Sequence, residues 1–388
     1  MVAASETIRG IRFHEGEPAA WLMVRMAEWL GDTVDEFAAK IGFPFAEARR
    51  GLRNAELAGL VGKTPEAVAA WTPMEAASGK SILRGQVLRM SWDWVHPTPG
   101  LPVQACPTCL RTDLAEGEGP KDQRPFVRAW WCLRDISHCQ KHGTYLVGKG
   151  RPAPDVDGHR DLDDDPRFWY GLHMAPAVQV PDADRMADLY LLGRLGVVQP
   201  TPVPFLDRLD IGEASSVISW LAELATVGTK PLDTRAMTRV DAMRVRSLGL
   251  ALAKDWPNRI NVRLDELLEA NEGPRRGPNS VYGRFYTRVY DIRDSKEDHA
   301  GRKELREVLW DHAMRRIPFG VGERMYGIET DESERVSVAG AVDIAGVPKC
   351  DFLRFAESFG LMEEGVDVRR FGVARSVAEA VRGRLLQR

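Results

Sequence analysis

The sequence predicts a mainly α protein in which helix-turn-helix units flank a small Cys3His subdomain and a further helical domain follows. Three observations predict this class. Apolar residues recur at helical spacing through most of the chain, and short helical stretches are twice interrupted by a glycine in the manner of a helix-turn-helix. Four of the five cysteines fall between Cys106 and Cys139, in an aromatic segment whose texture differs from its neighbours.

Length and composition set the frame. At 388 residues the chain exceeds one ordinary core, and 44% hydrophobic with 28% charged residues is a globular balance. A net charge of -3 supplies no global field for nucleic acid, so any contact with DNA must come from a local patch. The longest apolar stretches, such as AWLMVRMAEWL at Ala20 to Leu30, are cut by Arg25 and Glu28 and fall short of the ~20 apolar residues of a membrane span. No basic start followed by an apolar run marks a secretory signal, so a cytoplasmic protein with no membrane partner is expected.

Taken in order, residues 1–105 read as short amphipathic helices. Trp21, Leu22, Val24, Met26, Trp29 and Leu30 make one wide stripe that Gly31 ends. Asp32 or Thr33 opens the next helix, and Glu36, three past Thr33, completes a capping box. Asn54 is expected to cap NAELAGLVG and Thr64 to cap TPEAVAAW, with Pro65 in the first turn. Leu57, Ala58, Val61, Val68 and Trp71 around Gly62 suit a helix-turn-helix, although two plain helices would show the same spacing.

Residues 106–150 change to alternating aromatic stretches, PFVRAWWCL and GTYLV, which look like short strands around turns. Residues 151–166 are an acidic, proline-flanked linker by composition rather than a carboxylate metal site. Helices return over 167–330, with core faces at Val217, Ile218, Leu221 and Leu224 and at Ile260, Leu264, Leu267 and Leu268. Within them, PRRGPNSVYGRFYTR carries Arg275, Arg276, Arg284 and Arg288 among Tyr282, Phe285 and Tyr286. This is a candidate phosphate-tracking patch or, equally, a loop–helix junction with snorkelling arginines.

Residues 331–388 hold the better helix-turn-helix. Around Gly346, residues Ala341, Ala345, Val347, Phe352 and Phe355 occupy the packing positions, Pro348 starts the second helix and Gly360 ends it. Lys349, Cys350, Leu353 and Arg354 face outward, so Lys349 and Arg354 are the DNA-binding candidates; Asp351 and Glu357 weaken the local charge.

The chemistry lies in CPTC at Cys106–Cys109 and CQKH at Cys139–His142. Each turn places two borderline ligands on one side, and two such turns brought together by an intervening hairpin make a closed, zinc-ribbon-like Cys3His site for structural Zn2+. A redox Cys-x-x-Cys would sit after a strand at the start of a helix, a context not evident around ACPTCLRTD, and it would leave Cys139 and His142 idle. Cys132 is expected to be a buried free thiol, His138 to point away from the metal, and Cys350 to be an ordinary helix residue. No catalytic residue emerges: there is no phosphate-cradling glycine loop and no assembled nucleophile and base.

CPTCLRTD, the aromatic WW and HCQKHGTYL together resemble the zinc motif of the TniQ/TnsD family of transposon target-site selection proteins. GEPAAWLMVRMAEWLG is similar to that family's opening helix, and LAGLVGKTPEAVAAWTP, DWPNRINVRLDELL and VSVAGAVDIAGVP look like later landmarks in the family's order. The resemblance implies a non-catalytic adaptor that binds double-stranded DNA or a CRISPR RNA-guided complex and recruits an AAA+ ATPase and transposase. It implies Cys106, Cys109, Cys139 and His142 as zinc ligands. Some relatives carry a second zinc motif, which this chain, with only Cys350 outside the first region, lacks the cysteines to build. The alternative is a zinc-ribbon and helix-turn-helix transcription regulator acting as a homodimer.

Overall fold

The computed structural model describes residues 10–76, 80–88, 104–148, 169, 171–226, 238–270, 278–290, 300–325, 328–330, 333–362 and 366–386. The expected acidic linker and Arg275 and Arg276 lie outside them. The fold is mainly α, and its strands form short antiparallel ladders. The chain divides into two units: Met1–Pro202 with Asp210–Ser216 and Met237–Ser247, and Val203–Leu209 with Val217–Ala236 and Leu248–Arg388.

The first unit opens with α1 (Ala19–Leu30), which Gly31 ends in the left-handed conformation while its N–H reaches the carbonyls of Ala27 and Glu28. Trp21, Leu22, Val24 and Met26 are buried as their spacing predicts, but Trp29 and Leu30 are 37% and 47% exposed. Their turn lies past the buried run that ends at Ala27. The capping box of α2 (Val34–Ile41) forms as expected: the Thr33 hydroxyl accepts the Glu36 N–H at 3.2 Å, and the Glu36 carboxylate accepts the Thr33 N–H at 2.8 Å. After α3 (Phe45–Arg49) come α4 (Asn54–Leu60) and α5 (Pro65–Ala69). Thr64 caps α5 as expected, accepting the Ala67 N–H. Asn54 does not cap α4; Arg53 takes that position, and Asn54 is buried inside the helix with neither amide atom hydrogen-bonded. Leu22, Met23, Met26, Phe37, Leu57 and Val68 meet in one core.

Where helices were expected up to residue 105, three strands pair antiparallel instead: β1 (Met74–Glu75), β2 (Ser81–Leu83) and β3 (Gln86–Leu88). The turn between β2 and β3 is Arg84-Gly85, with φ of 50° and 76°. An arginine in the left-handed position hides the Asn-Gly signal that announces such hairpins. The unit continues with β4 (Gln104–Ala105), α6 (Pro107–Glu116), β5 (Val147–Gly148) and α7 (Met186–Arg194).

The remaining helices are α8 (Pro204–Asp207), α9 (Ile211–Thr226), α10 (Arg239–Ala253), α11 (Asn258–Ala270), α12 (Pro278–Tyr290) and α13 (Ala300–Arg316). The predicted core faces of α9 and α11 are buried throughout. Gly249 is required where α10 meets α9, because a Cβ there would stand 2.2 Å from the Ile218 carbonyl oxygen. Beyond a β6–β7 hairpin (Arg324–Met325, Ile328–Glu329), β8 (Arg335–Val336) pairs with β9 (Val373–Ala374). That ladder brackets α14 (Val338–Ala345), α15 (Lys349–Ser358) and α16 (Val368–Phe371), and α17 (Arg375–Leu386) closes the chain. Val336, Ala341, Ala345, Phe352, Ala356, Val373, Ala378 and Val381 form this region's core.

Candidate metal centre

Two antiparallel residue pairs, Gln104 with Gly148 and Ala105 with Val147, bring the two ligand turns together. Cys106 follows β4 directly and caps α6; the Cys109 N–H donates to its sulfur at 3.4 Å. The second turn closes through the Gly143 N–H, which donates to the Cys139 carbonyl at 2.7 Å, and the Cys139 N–H, which donates to the Thr144 carbonyl at 2.8 Å. Gly143 has φ of 65°, a conformation that favours glycine, whereas the nearest atom a Cβ there would meet is at the movable end of the Arg185 side chain.

The ligand atoms converge. His142 Nδ1 lies 3.4 Å from Cys106 Sγ, 3.4 Å from Cys109 Sγ and 3.6 Å from Cys139 Sγ, and Cys109 Sγ lies 3.6 Å from Cys139 Sγ. A tetrahedral ion with ordinary Zn–S and Zn–N bond lengths sets these edges at about 3.8 Å for S···S and about 3.6 Å for S···N. All four atoms fall within 4.8 Å of one another, and the three cysteines are buried, so the group could hold a metal ion. Their electrostatics agree. Hydrogen bonds from Cys109 and Cys139 pull the Cys106 thiol far below its usual range, and the contact with Cys106 pushes Cys109 up and Cys139 up to about 11. Three crowded thiols share protons in this way, and a divalent cation is the species that lets all three ionise.

Two local expectations are corrected here. CPTC does sit after a strand and at the start of a ten-residue helix, the surroundings of a redox motif. What excludes a simple dithiol is the arrival of Cys139 and His142 at the same point, not the local secondary structure. The segment between the turns is also no hairpin, since Ala129–Cys132 forms a 3-10 helix that buries Trp131 and Cys132. Cys132 is a buried thiol that burial pushes up to about 12. His138 turns away from the metal ligands as expected, its Nδ1 lying 2.9 Å from the Asp188 carboxylate. Cys350 is an exposed residue of α15.

The support around this centre was not legible in the sequence. Buried Arg25 donates to both carboxylate oxygens of buried Glu17, at 2.6 and 2.8 Å, to the Arg12 carbonyl at 2.7 Å and to the Gln123 carbonyl. His14 stacks on Phe126, and burial with the nearby Arg25 charge lowers it to about 3. Side-chain amide Nε2 of Gln104 donates to the carbonyls of Trp131 and Ile136 at 2.8 and 3.1 Å, tying β4 to the intervening segment.

A family model described as TniQ matches residues 9–146, a stretch that takes in α1 and both ligand turns. The chain carries a TniQ domain. No curated protein matches it at a significant level. A TniQ domain supports a role in transposition-associated target-site selection.

The other predicted site residues lie elsewhere. Lys349 and Arg354 are exposed on α15, and Arg354 pairs with Asp351 at 3.0 Å. Gly346 makes the expected left-handed turn, with φ of 69°. Pro348 is the N-cap rather than the first helical residue, and α15 ends at Ser358, before Phe359 and Gly360. Val347, Leu353 and Phe355 are only partly buried. Arg284 and Arg288 are exposed on α12, where Arg288 pairs with Glu223 at 3.4 Å. Tyr282 and Phe285, expected beside them, are buried, and the Tyr282 hydroxyl lies 2.7 Å from His312 Nδ1. Core aromatics cannot stack on bases, so the patch keeps its arginines and, of its three aromatics, only the partly buried Tyr286. Among the described residues no helix is long and apolar enough to cross a membrane.

Proposed function

We propose that this chain is a non-catalytic adaptor for transposon target-site selection. It engages double-stranded DNA or an RNA-guided targeting complex and recruits an AAA+ ATPase, which passes the site to a transposase. The observation that carries this reading is the convergence of Cys106, Cys109, Cys139 and His142 within the TniQ domain. In the proposal the metal is Zn2+. Four protein ligands leave no open position for substrate or activated water, so the ion supplies folding energy to residues 106–150 rather than chemistry. Lys349 and Arg354 on α15 and the α12 arginines Arg284 and Arg288 are its proposed DNA contacts, with Arg275 and Arg276 beside the latter in sequence.

The test is co-purification with an AAA+ transposition ATPase, with and without DNA. The proposal expects a complex that disappears when Cys106→Ser and Cys139→Ser remove the metal. Absence of association under both conditions would reject the adaptor role, and one zinc per chain by elemental analysis is the companion expectation.

A further inference from the structure

The TniQ match ends at Leu146, yet the metal turns are held from outside it by α10. Arg239 donates to the Leu146 carbonyl, and its other amino group donates to the Gln104 side-chain oxygen at 2.8 Å. Seven residues on, Arg246 donates to the Asp135 carbonyl at 2.5 Å and lies 3.7 Å from the Asp188 carboxylate. Two helical turns, about 10 Å of axis, therefore separate two cationic grips on the same face. They fall on Asp135 and Leu146, the two ends of the segment that contains Cys139 and His142.

Between the grips the contact is apolar. Met243 is buried against Tyr145 and Val180, with Val240 packed beside them. Behind the grips, Asp188 on α7 accepts the Ser137 N–H at 2.7 Å and faces His138 Nδ1, while the Ser247 hydroxyl donates to the Asp184 carbonyl at 2.8 Å. Arg239, Val240, Met243, Arg246 and Ser247 thus form one stripe of α10 that meets Gln104 beside the first ligand turn and Asp135, Tyr145 and Leu146 around the second.

We infer that Arg239 and Arg246 are positioning residues for the metal, and that residues 239–247 of α10 belong to the metal centre as a brace that fixes the Cys139–His142 turn. This rests on the proposed metal site. A carbonyl held at each end of a ligand turn sets where its sulfur and imidazole point. Outer partners of metal ligands typically change affinity about 10–100-fold when removed.

The experiment uses the full chain loaded with Co2+, whose visible spectrum reports tetrahedral thiolate ligation, and measures metal affinity by chelator competition. Arg239→Ala and Arg246→Ala should each weaken binding about 10–100-fold and distort the cobalt spectrum, Arg239→Lys should restore part of both, and Arg263→Ala on α11 should change neither. Wild-type protein that binds with unchanged variants would overturn the brace alone; wild-type protein that takes up no cobalt or zinc would overturn the brace and the metal site together. Hydrogen exchange on the wild type covers variants that fail to fold. Reciprocal coupling requires metal removal to speed exchange of the amides of residues 239–247 while leaving those of α13 unchanged. Equal protection of residues 239–247 with and without metal would also overturn the inference.

Discussion

The two helix-turn-helix units differ in what surrounds them, although their sequence spacing is alike. In the N-terminal pair, α5 has five residues, about 7 Å of helix, and the pair is sunk into a core that also takes α1 and α2. Thr72 locks it further: its hydroxyl accepts the Ala19 N–H and donates to the Val68 carbonyl, both at 2.8 Å. In the C-terminal pair, α15 has ten residues, and the pair shares its core with α17 and the β8–β9 ladder. A groove-reading helix needs length and a free outer face. Apolar spacing around a glycine reports that two short helices cross; the length of the second helix decides whether the crossing can reach a ligand.

The largest expected effect tests α1, whose core the N-terminal pair shares. Arg25→Ala would leave the Glu17 carboxylate buried without its cation and free two carbonyls, those of Arg12 and Gln123. Breaking a buried pair on one side costs about 3–5 kcal/mol. Denaturant unfolding followed by hydrogen exchange should show that loss in α1, α4 and α5, with the amides of α14, α15 and α17 exchanging as in the wild type. A loss below about 1 kcal/mol would mean that Arg25 is a bystander.

A middle-sized effect separates the outer faces. Replacing Lys349 and Arg354 together with alanine should weaken binding to double-stranded DNA and lower the slope of log affinity against log salt by about 2, at about 0.9 per lost phosphate contact. Lys63→Ala, in the turn of the N-terminal pair, should leave that slope alone. The expected change is modest because Asp351 already engages Arg354. An unchanged slope in the double variant would remove α15 from the interface.

What the sequence made legible follows from the range of each signal. Caps, glycine stops and apolar stripes act within one or two turns, and Gly31, the Thr33–Glu36 box, Thr64 and the faces of α9 and α11 all appear where their residues predict. The ligand quartet was legible because soft side chains at fixed spacing have few other uses. Hidden were the interactions spanning distant residues: Arg25 with Gln123, Arg239 with Gln104, Asp188 with Ser137. An arginine on the buried face of a helix reads as a break in an apolar stripe, and nothing nearby in sequence names the carbonyl it will satisfy. The Cys106 turn shows the converse: Pro107, directly after the first ligand, sits at the first position of α6, a helix start that ACPTCLRTD does not make evident.

The smallest effect distinguishes a cap from a buried amide. Asn54 has the residue type and position of an N-cap, and by that reading Asn54→Leu should cost about 1 kcal/mol. Instead the side chain lies inside α4, its amide unpartnered and shielded from water, while Arg53 occupies the cap. Burying an amide without hydrogen bonds costs about 1–3 kcal/mol in proteins, and a leucine, with the same branching but no polar atoms, avoids that cost. Asn54→Leu should therefore be neutral or more stable by about 1 kcal/mol in urea unfolding, while Thr64→Ala, at a cap that does bond, loses about 1 kcal/mol. Equal losses in the two variants would put Asn54 back at the head of its helix and make the two turns of the N-terminal pair equivalent.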